Sequence, residues 1–325
     1  MNLTDPLGRS FDYLRLSVTD ICNFRCVYCL PNGYFKKSGT SPLSVEEIKN
    51  LVIAFSKLGF WKVRLTGGEP TVRRDIVEIV RVVSSVPGIR KVALTTNGHR
   101  LSKLVLALKE AGLHSLNVSI DSLKDDKFRE ITGKDALSGV LNGLDAALSA
   151  GFESLKVNVV LLKGVNDEDI GSFMEWGRHK DLSIRFIELM RTGANKVFFQ
   201  KSHLSGDGVR KILSEKGWLS ILKKPGDGPA VEFAHPDYKV RIGVIAPYSQ
   251  DFCKDCNRLR VDSLGNLRLC LFGESDYPLR PLLGSESDVP AAVELIRSLI
   301  ERKPKSHFLH EEKYGNARSL SAIGG

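Results

Sequence analysis

The first 190 residues repeat one theme, a short β-branched run followed by an amphipathic stretch, and little else limits the fold so tightly. The runs occupy 13–18, 62–66, 91–96, 115–120, 154–161 and 183–188. Ser44 and Glu47 make a capping-box pair that opens a helix reaching about Leu58, where Gly59 is placed to end it. Further helices are predicted near 75–85, 101–111, 136–150 and 168–178. Such βα units in series predict parallel strands with right-handed crossovers, in a barrel or an open doubly wound sheet.

Strand composition separates these two. Central strands of a parallel sheet normally read as continuous apolar runs. Here polar residues recur at every second position: Arg15, Ser17 and Thr19; Lys62, Arg64 and Thr66; Asn117, Ser119 and Asp121; Lys156 and Asn158. Period two puts each set on one face of its strand. Buried polar groups need partners, so a shared polar face predicts a lumen around a polar ligand. Edge strands with one wet face are the alternative. The expected fold is α/β, an incomplete (βα)6 TIM-like barrel over 1–195. Segments 66–70, 95–98 and 119–122 close strands at the rim where parallel barrels place their active sites. Beyond about 195 the alternation stops. A Gly/Pro link at 225–229, a helix near 289–301 and a polar tail ending Ile323-Gly324-Gly325 predict a C-terminal extension over 196–325. It is expected to close the side that six strands leave open.

Six cysteines fall in two groups, Cys22, Cys26 and Cys29, then Cys253, Cys256 and Cys270. The first ten residues lack an apolar signal core, and no run approaches about 18 apolar residues. A soluble, cytoplasmic protein is therefore expected, in which clustered cysteines argue for metal ligation rather than disulfides. A closed structural zinc site takes four ligands, whereas three leave a position open for chemistry. At 42% hydrophobic and 26% charged, the composition is globular and excludes disorder, collagen and coiled coil as the main state. Lys plus Arg outnumber Asp plus Glu by 47 to 38, and the net charge of +9 favours an anionic partner. A merely solvated basic surface would have the same composition.

Cys22-Asn23-Phe24-Arg25-Cys26-Val27-Tyr28-Cys29 follows the first strand directly. Its C-x3-C-x2-C spacing lets three thiolates hold one cuboidal cluster with a fourth iron free, since [4Fe–4S] clusters usually take four. A zinc knuckle borrowing a distant His is the alternative. The spacing resembles that of the radical S-adenosylmethionine (SAM) superfamily. Gly67-Gly68-Glu69-Pro70, alone an ordinary strand-to-helix turn, resembles the GGEP motif of the same superfamily. The second group is C-x2-C-x13-C, again three ligands, with a zinc site completed by His235 as the alternative. With Asn257-Arg258-Leu259-Arg260 beside it and a terminal Gly-Gly, nearly the whole chain resembles the GTP 3′,8-cyclases of molybdenum cofactor biosynthesis (the MoaA family).

That resemblance implies two [4Fe–4S] clusters, one on Cys22, Cys26 and Cys29, the other on Cys253, Cys256 and Cys270. It places SAM against Tyr28, Gly68, Ser119 and Met190. It places GTP against Arg15, Arg64, Thr95 and Lys156, with Lys62 and Arg185 near the phosphates and Arg258, Leu259 and Arg260 in a nucleotide-contacting loop. GTP carries about four negative charges, and guanidinium forks suit phosphate oxygens. The alternative is that the lumen cations pair with Glu69, Asp121 or Glu188. The tail would reach the active site, with Arg318, Gly324 and Gly325 assisting catalysis; Leu320 stands where Met is common, a volume-preserving change. The implied reaction splits SAM to a deoxyadenosyl radical, which takes hydrogen from ribose C3′ of GTP before C3′ bonds to guanine C8. Implied partners are an electron donor and a downstream cyclic pyranopterin monophosphate synthase. A homodimer is plausible on an incomplete barrel, and neither nucleic acid nor a membrane is expected. A peptide-modifying radical SAM enzyme with an auxiliary cluster, and a zinc-stabilised nucleic-acid-binding barrel, are the competing readings.

Overall fold

The computed structural model of the chain describes residues 3–34, 40–193, 195–222, 228–249, 252–315 and 321. The tail positions Arg318, Leu320, Gly324 and Gly325 lie outside them.

Six strands form in the predicted places: β1 (Tyr13–Ser17), β2 (Lys62–Thr66), β3 (Lys91–Thr96), β4 (Ser115–Ser119), β5 (Ser154–Leu161) and β6 (Ser183–Glu188). All pair in parallel with their sequence neighbours. Between them run α1 (Val45–Lys57), α2 (Ile76–Ser85), α3 (Leu101–Glu110), α4 (Asp125–Thr132), α5 (Leu137–Ala150) and α6 (Ile170–Gly177). The apolar alternates face those helices. Leu14, Leu16, Val63, Leu65, Leu116, Val118, Val157 and Phe186 are fully buried with Leu51, Phe55, Ile79 and Phe173 from the helices. Burying a side chain of this kind stabilises by roughly 1.5–3 kcal/mol, which fixes the register because a one-residue slip would expose the whole set.

The extension contributes α7 (Lys196–Ser202), α8 (Gly206–Glu215), β7 (Leu219–Ile221), β8 (Val231–His235), β9 (Tyr238–Ile245), β10 (Arg258–Val261), β11 (Asn266–Arg268), β12 (Tyr277–Pro278) and α9 (Val289–Leu299). It does more than pack on the open side. β9 pairs in parallel with β6, and β10 pairs in parallel with β1. The described sheet has the order β12-β11-β10-β1-β2-β3-β4-β5-β6-β9-β8-β7, eight parallel strands flanked by antiparallel ribbons. Arg258 and Arg260 are accordingly on a strand and not in the loop expected for them. Helix α4 was also not predicted. It carries only two buried hydrophobic residues, Phe128 and Ile131, in eight positions, too few to mark an apolar face.

The capping box forms as the sequence requires. Glu47 N–H donates to Ser44 Oγ (3.1 Å), and Ser44 N–H donates to the Glu47 carboxylate (2.7 Å). Ser44→Ala removes one of the two bonds and is expected to cost about 1 kcal/mol, read as a lower urea midpoint at unchanged slope.

Candidate active site

The first cysteine group leaves the C-terminal end of β1 and lies along the end of α4. Arg25 N–H donates to Thr132 O (2.9 Å) and Val27 N–H to Ile131 O (3.0 Å). Phe24 is buried edge-on against Phe128 and His99, so the missed helix α4 is the floor of this loop. Asn97 Nδ2 donates to Asn23 Oδ1 (2.8 Å), and Phe24 N–H points at Cys22 Sγ (3.4 Å). All six cysteines are free thiols, each partly buried. Burial pushes Cys22 up to about 11 and Cys26 well above the ordinary thiol range, so their thiolates need a cation to hold them.

The Gly pair after β2 stands against the backbone of the cysteine loop. A Cβ on Gly68 would stand 2.2 Å from Ile21 O, and one on Gly67, at φ +147°, 2.2 Å from Thr19 O. Both glycines let this turn press on the backbone of the cysteine loop, tied by Gly68 N–H to Thr19 O (2.8 Å) and Glu69 N–H to Ile21 O (2.7 Å). Glu69 is buried and collects Thr71 Oγ1 (2.6 Å), Thr96 Oγ1 (2.6 Å) and Asn97 N–H (2.6 Å), joining the rims of β2 and β3. Asp121 does the same one strand further, accepting from Tyr28 Oη (2.8 Å) and Val160 N–H (2.8 Å). Burial pushes Asp121 up to about 6. Glu188 lies 2.8 Å from His203 Nε2. These bonds of the three candidate counter-ions go to the rim and to His203.

Inside the sheet is a cavity of about 430 Å³, within the range of small-molecule sites. Its lining includes nine cations: Arg15 from β1, Lys62 and Arg64 from β2, Lys91 from β3, Lys156 from β5, Arg185 from β6, Arg258 and Arg260 from β10, and Lys303. No Asp or Glu is among the described lining residues. Thr95 is there, holding Arg64 Nη1 (3.1 Å), as is Met190. Leu259 is fully buried in the hydrophobic core, because alternation on β10 turns it away from Arg258 and Arg260. Its side chain is not one the cavity presents. Tyr28, Ser119 and the first three cysteines sit at the rim outside that lining. Buried Ser115 Oγ, Asn117 Oδ1 and Asn158 Oδ1 have no hydrogen-bond partner among the described residues, as expected of a face built for a polar ligand. Burial, reinforced by Arg185, brings Lys156 down to about 7.

Cys253, Cys256 and Cys270 share this lining. Cys253 and Cys256 precede β10 whereas Cys22, Cys26 and Cys29 follow β1. The two strands are parallel, so the groups stand at opposite ends of the sheet. Burial alone would raise Cys256, but Lys303, Arg258 and Arg260 bring it down to about 7. His235, the proposed zinc ligand, packs against Trp218 and Tyr238 and is not on the cavity. The histidine present there is His307, which the sequence reading missed together with Lys91, Tyr13 and Lys303. Among the described residues no three His, Cys, Asp or Glu side chains converge on a single metal ion. A cuboidal iron–sulfur cluster asks something else, one thiolate for each of three irons, and two triads of free thiols supply that donor set.

The fold and the two triads define a radical SAM protein, and comparison with known proteins agrees. The radical SAM superfamily matches residues 16–177, and Molybdenum Cofactor Synthesis C matches residues 182–309. The chain is 48% identical to the GTP 3′,8-cyclase of Yersinia pestis over 325 residues, covering all of both chains. It is 49% identical to that of Cronobacter sakazakii over 99% of each. It belongs to the GTP 3′,8-cyclase family. Among solved structures, Streptococcus suis SuiB bound to S-adenosylmethionine aligns over 89% of this chain and 68% of its own, with a TM-score of 0.64 at 14% identity, a likeness of fold.

Gly68→Ala is expected to cost about 1–3 kcal/mol by forcing the rim apart and to lower iron bound per chain after anaerobic reconstitution. Melting curves and iron assay of the same samples check both.

Proposed function

We infer that the chain is a radical SAM lyase converting GTP to (8S)-3′,8-cyclo-7,8-dihydroguanosine 5′-triphosphate, the first step of molybdenum cofactor biosynthesis. The observation that carries this is full-length identity of 48% to curated GTP 3′,8-cyclases. The cation-lined cavity between the cysteine triads supports it. Cys22, Cys26 and Cys29 would hold one [4Fe–4S] cluster and Cys253, Cys256 and Cys270 the other. Bound there with SAM, these groups supply one-electron reduction and hydrogen abstraction.

The protein's share is placement and dryness. Tyr28, Gly68, Ser119 and Met190 would receive SAM at the rim, where Asp121 orients Tyr28 and Glu69 keeps the Gly turn against the cysteine loop. Arg15, Lys62, Arg64, Lys156 and Arg185 would hold the triphosphate, with Thr95 keeping Arg64 turned to the lumen. Arg258 and Arg260, beside the second triad, would hold the nucleotide toward that end. Arg318, Gly324 and Gly325 would come from the tail. Enclosure matters because a primary carbon radical quenches on any nearby C–H bond. We place the division between the radical SAM portion, 1–195, and the extension, 196–325, at the loop before α7. An electron donor, a downstream enzyme consuming the cyclic nucleotide, a homodimer and a cytoplasmic location belong to the same proposal. No described helix is long and apolar enough to cross a membrane.

Anaerobic protein reconstituted with iron and sulfide, given SAM, a reductant and GTP, should yield deoxyadenosine together with an isomer of GTP by mass spectrometry. Deoxyadenosine without the isomer would move the substrate search to peptides, and neither product from cluster-loaded protein would overturn the radical reading. Lys156→Met should weaken GTP binding about tenfold or more, roughly 1.4 kcal/mol, at pH below 7. The deficit should shrink as pH rises above 7, where the wild-type amine is neutral in the free enzyme and must gain a proton to help. Calorimetry of GTP binding across that range reads both effects.

A further inference from the structure

Tyr13 occupies an unusual position for a phenol. In the sheet register it stands directly opposite Arg258 on β10 and Lys62 on β2, and Lys62 is in turn opposite Lys91. The next inward-facing row is Arg260, Arg15 and Arg64. Tyr13 is thus the one acidic side chain in two rows of cations, and like charges placed directly opposite are destabilising. It is buried, 3% exposed, on the cavity wall. Arg64 Nε donates to its oxygen at 2.5 Å, and Lys62 Nζ lies 4.5 Å from its ring centre. The neighbouring carboxylate turns elsewhere, Asp12 accepting from Trp61 Nε1 (3.0 Å) and Asn257 Nδ2 (2.8 Å).

We propose that Tyr13 is a built-in counter-anion: in the substrate-free enzyme its phenolate neutralises Arg15 and Arg64, and it takes a proton from solvent when the triphosphate arrives. This rests on the reading that GTP phosphates bind in this cavity. The chemistry is a balanced exchange in which phosphate oxygens replace the phenolate as partners of the guanidinium groups. The phenol then keeps one hydrogen bond in place of an ion pair. The charge balance has the same direction. Burial alone, the largest influence, would raise Tyr13, yet Arg64, Arg15 and Lys62 bring it down to about 6. The free enzyme therefore loses this proton as pH rises through about 6, and above that GTP binding must restore it. Tyr13 acts as a positioning residue that keeps the cradle assembled and tunes affinity to pH.

The test uses anaerobic holoenzyme and GTP. The near-ultraviolet difference between wild type and Tyr13→Phe, recorded at matched pH so that cluster absorption cancels, should show a tyrosinate band. It should appear well below the ordinary tyrosine range near about 10. In wild type alone, saturating GTP near neutral pH should remove that band, a measurement that needs no variant. Calorimetry in two buffers of different ionisation enthalpy should show wild type taking up as much as about one more proton per GTP than Tyr13→Phe. The wild-type Kd should rise with pH more steeply, by up to about tenfold per unit. Lys156 and the GTP phosphate titrate in both proteins, so the difference isolates Tyr13. A band confined to the ordinary tyrosine range, or equal proton uptake by the two proteins, overturns the proposal. GTP bound by neither protein would overturn the cavity reading instead, while the spectrum still decides whether Tyr13 is ionised.

Discussion

Nine cations facing one lumen, with no carboxylate among the described residues around it, is the constraint on which the arrangement depends. Charge of one sign inside a protein is strongly unfavourable without a partner. Some relief is built in. Arg185 reaches outward to Glu232 at 2.7 Å, and Gly243 opposite it leaves the room its stem needs. Tyr13, held by Arg64 Nε, is a second internal partner, and the rest of the field is directed inward, where a polyanion would complete it. Such a site spends folding stability on affinity, since like charges gathered in the free protein attract a polyanion strongly when it arrives.

Strand direction turns this charged lumen into a site with two distinct ends. Loops after parallel strands gather at one rim and loops before them at the other. The first triad follows β1, whereas Cys253 and Cys256 precede β10 and Cys270 returns to the same end after the antiparallel β11. The two triads are thus held apart by the length of the strands. The rim that carries the first triad is braced by buried carboxylates accepting from hydroxyl and backbone donors, Glu69 across β2 and β3, Asp121 across β4 and β5. Each fixes a loop whose side chains would otherwise be free to move by the ångström that separates productive from unproductive geometry.

Much of this was legible from local pattern. The six barrel strands stand where β-branched runs predicted them. Of their polar alternates, Arg15, Lys62, Arg64, Asn117, Lys156 and Asn158 line the lumen, because side-chain period two turns them away from the buried apolar set. Ser17, Thr19, Thr66, Ser119 and Asp121 fall outside that lining. The capping box of α1 is a contact between residues three apart and needs no tertiary context. Other features had no local signal. Helix α4 has too few apolar residues to announce itself, yet it supports the cysteine loop through Phe24 and Phe128. The close neighbour of the glycines after β2, the backbone of Thr19 and Ile21, had no signal in the turn itself.

The sequence by itself determined the alternation of elements, the inward and outward faces of each strand, and the chemistry available at two cysteine triads. Those are consequences of spacing along one chain. Only the tertiary structure decided that β9 and β10, separated by a cysteine loop, would extend opposite edges of the same sheet. That pairing brings Arg258 and Arg260 beside Tyr13 and Arg15, turns Leu259 into core, and adds Lys303 to the cavity wall. Contacts between residues some 240 positions apart in the chain depend on which sheet edge is unpaired when the extension folds, and no short-range pattern encodes that.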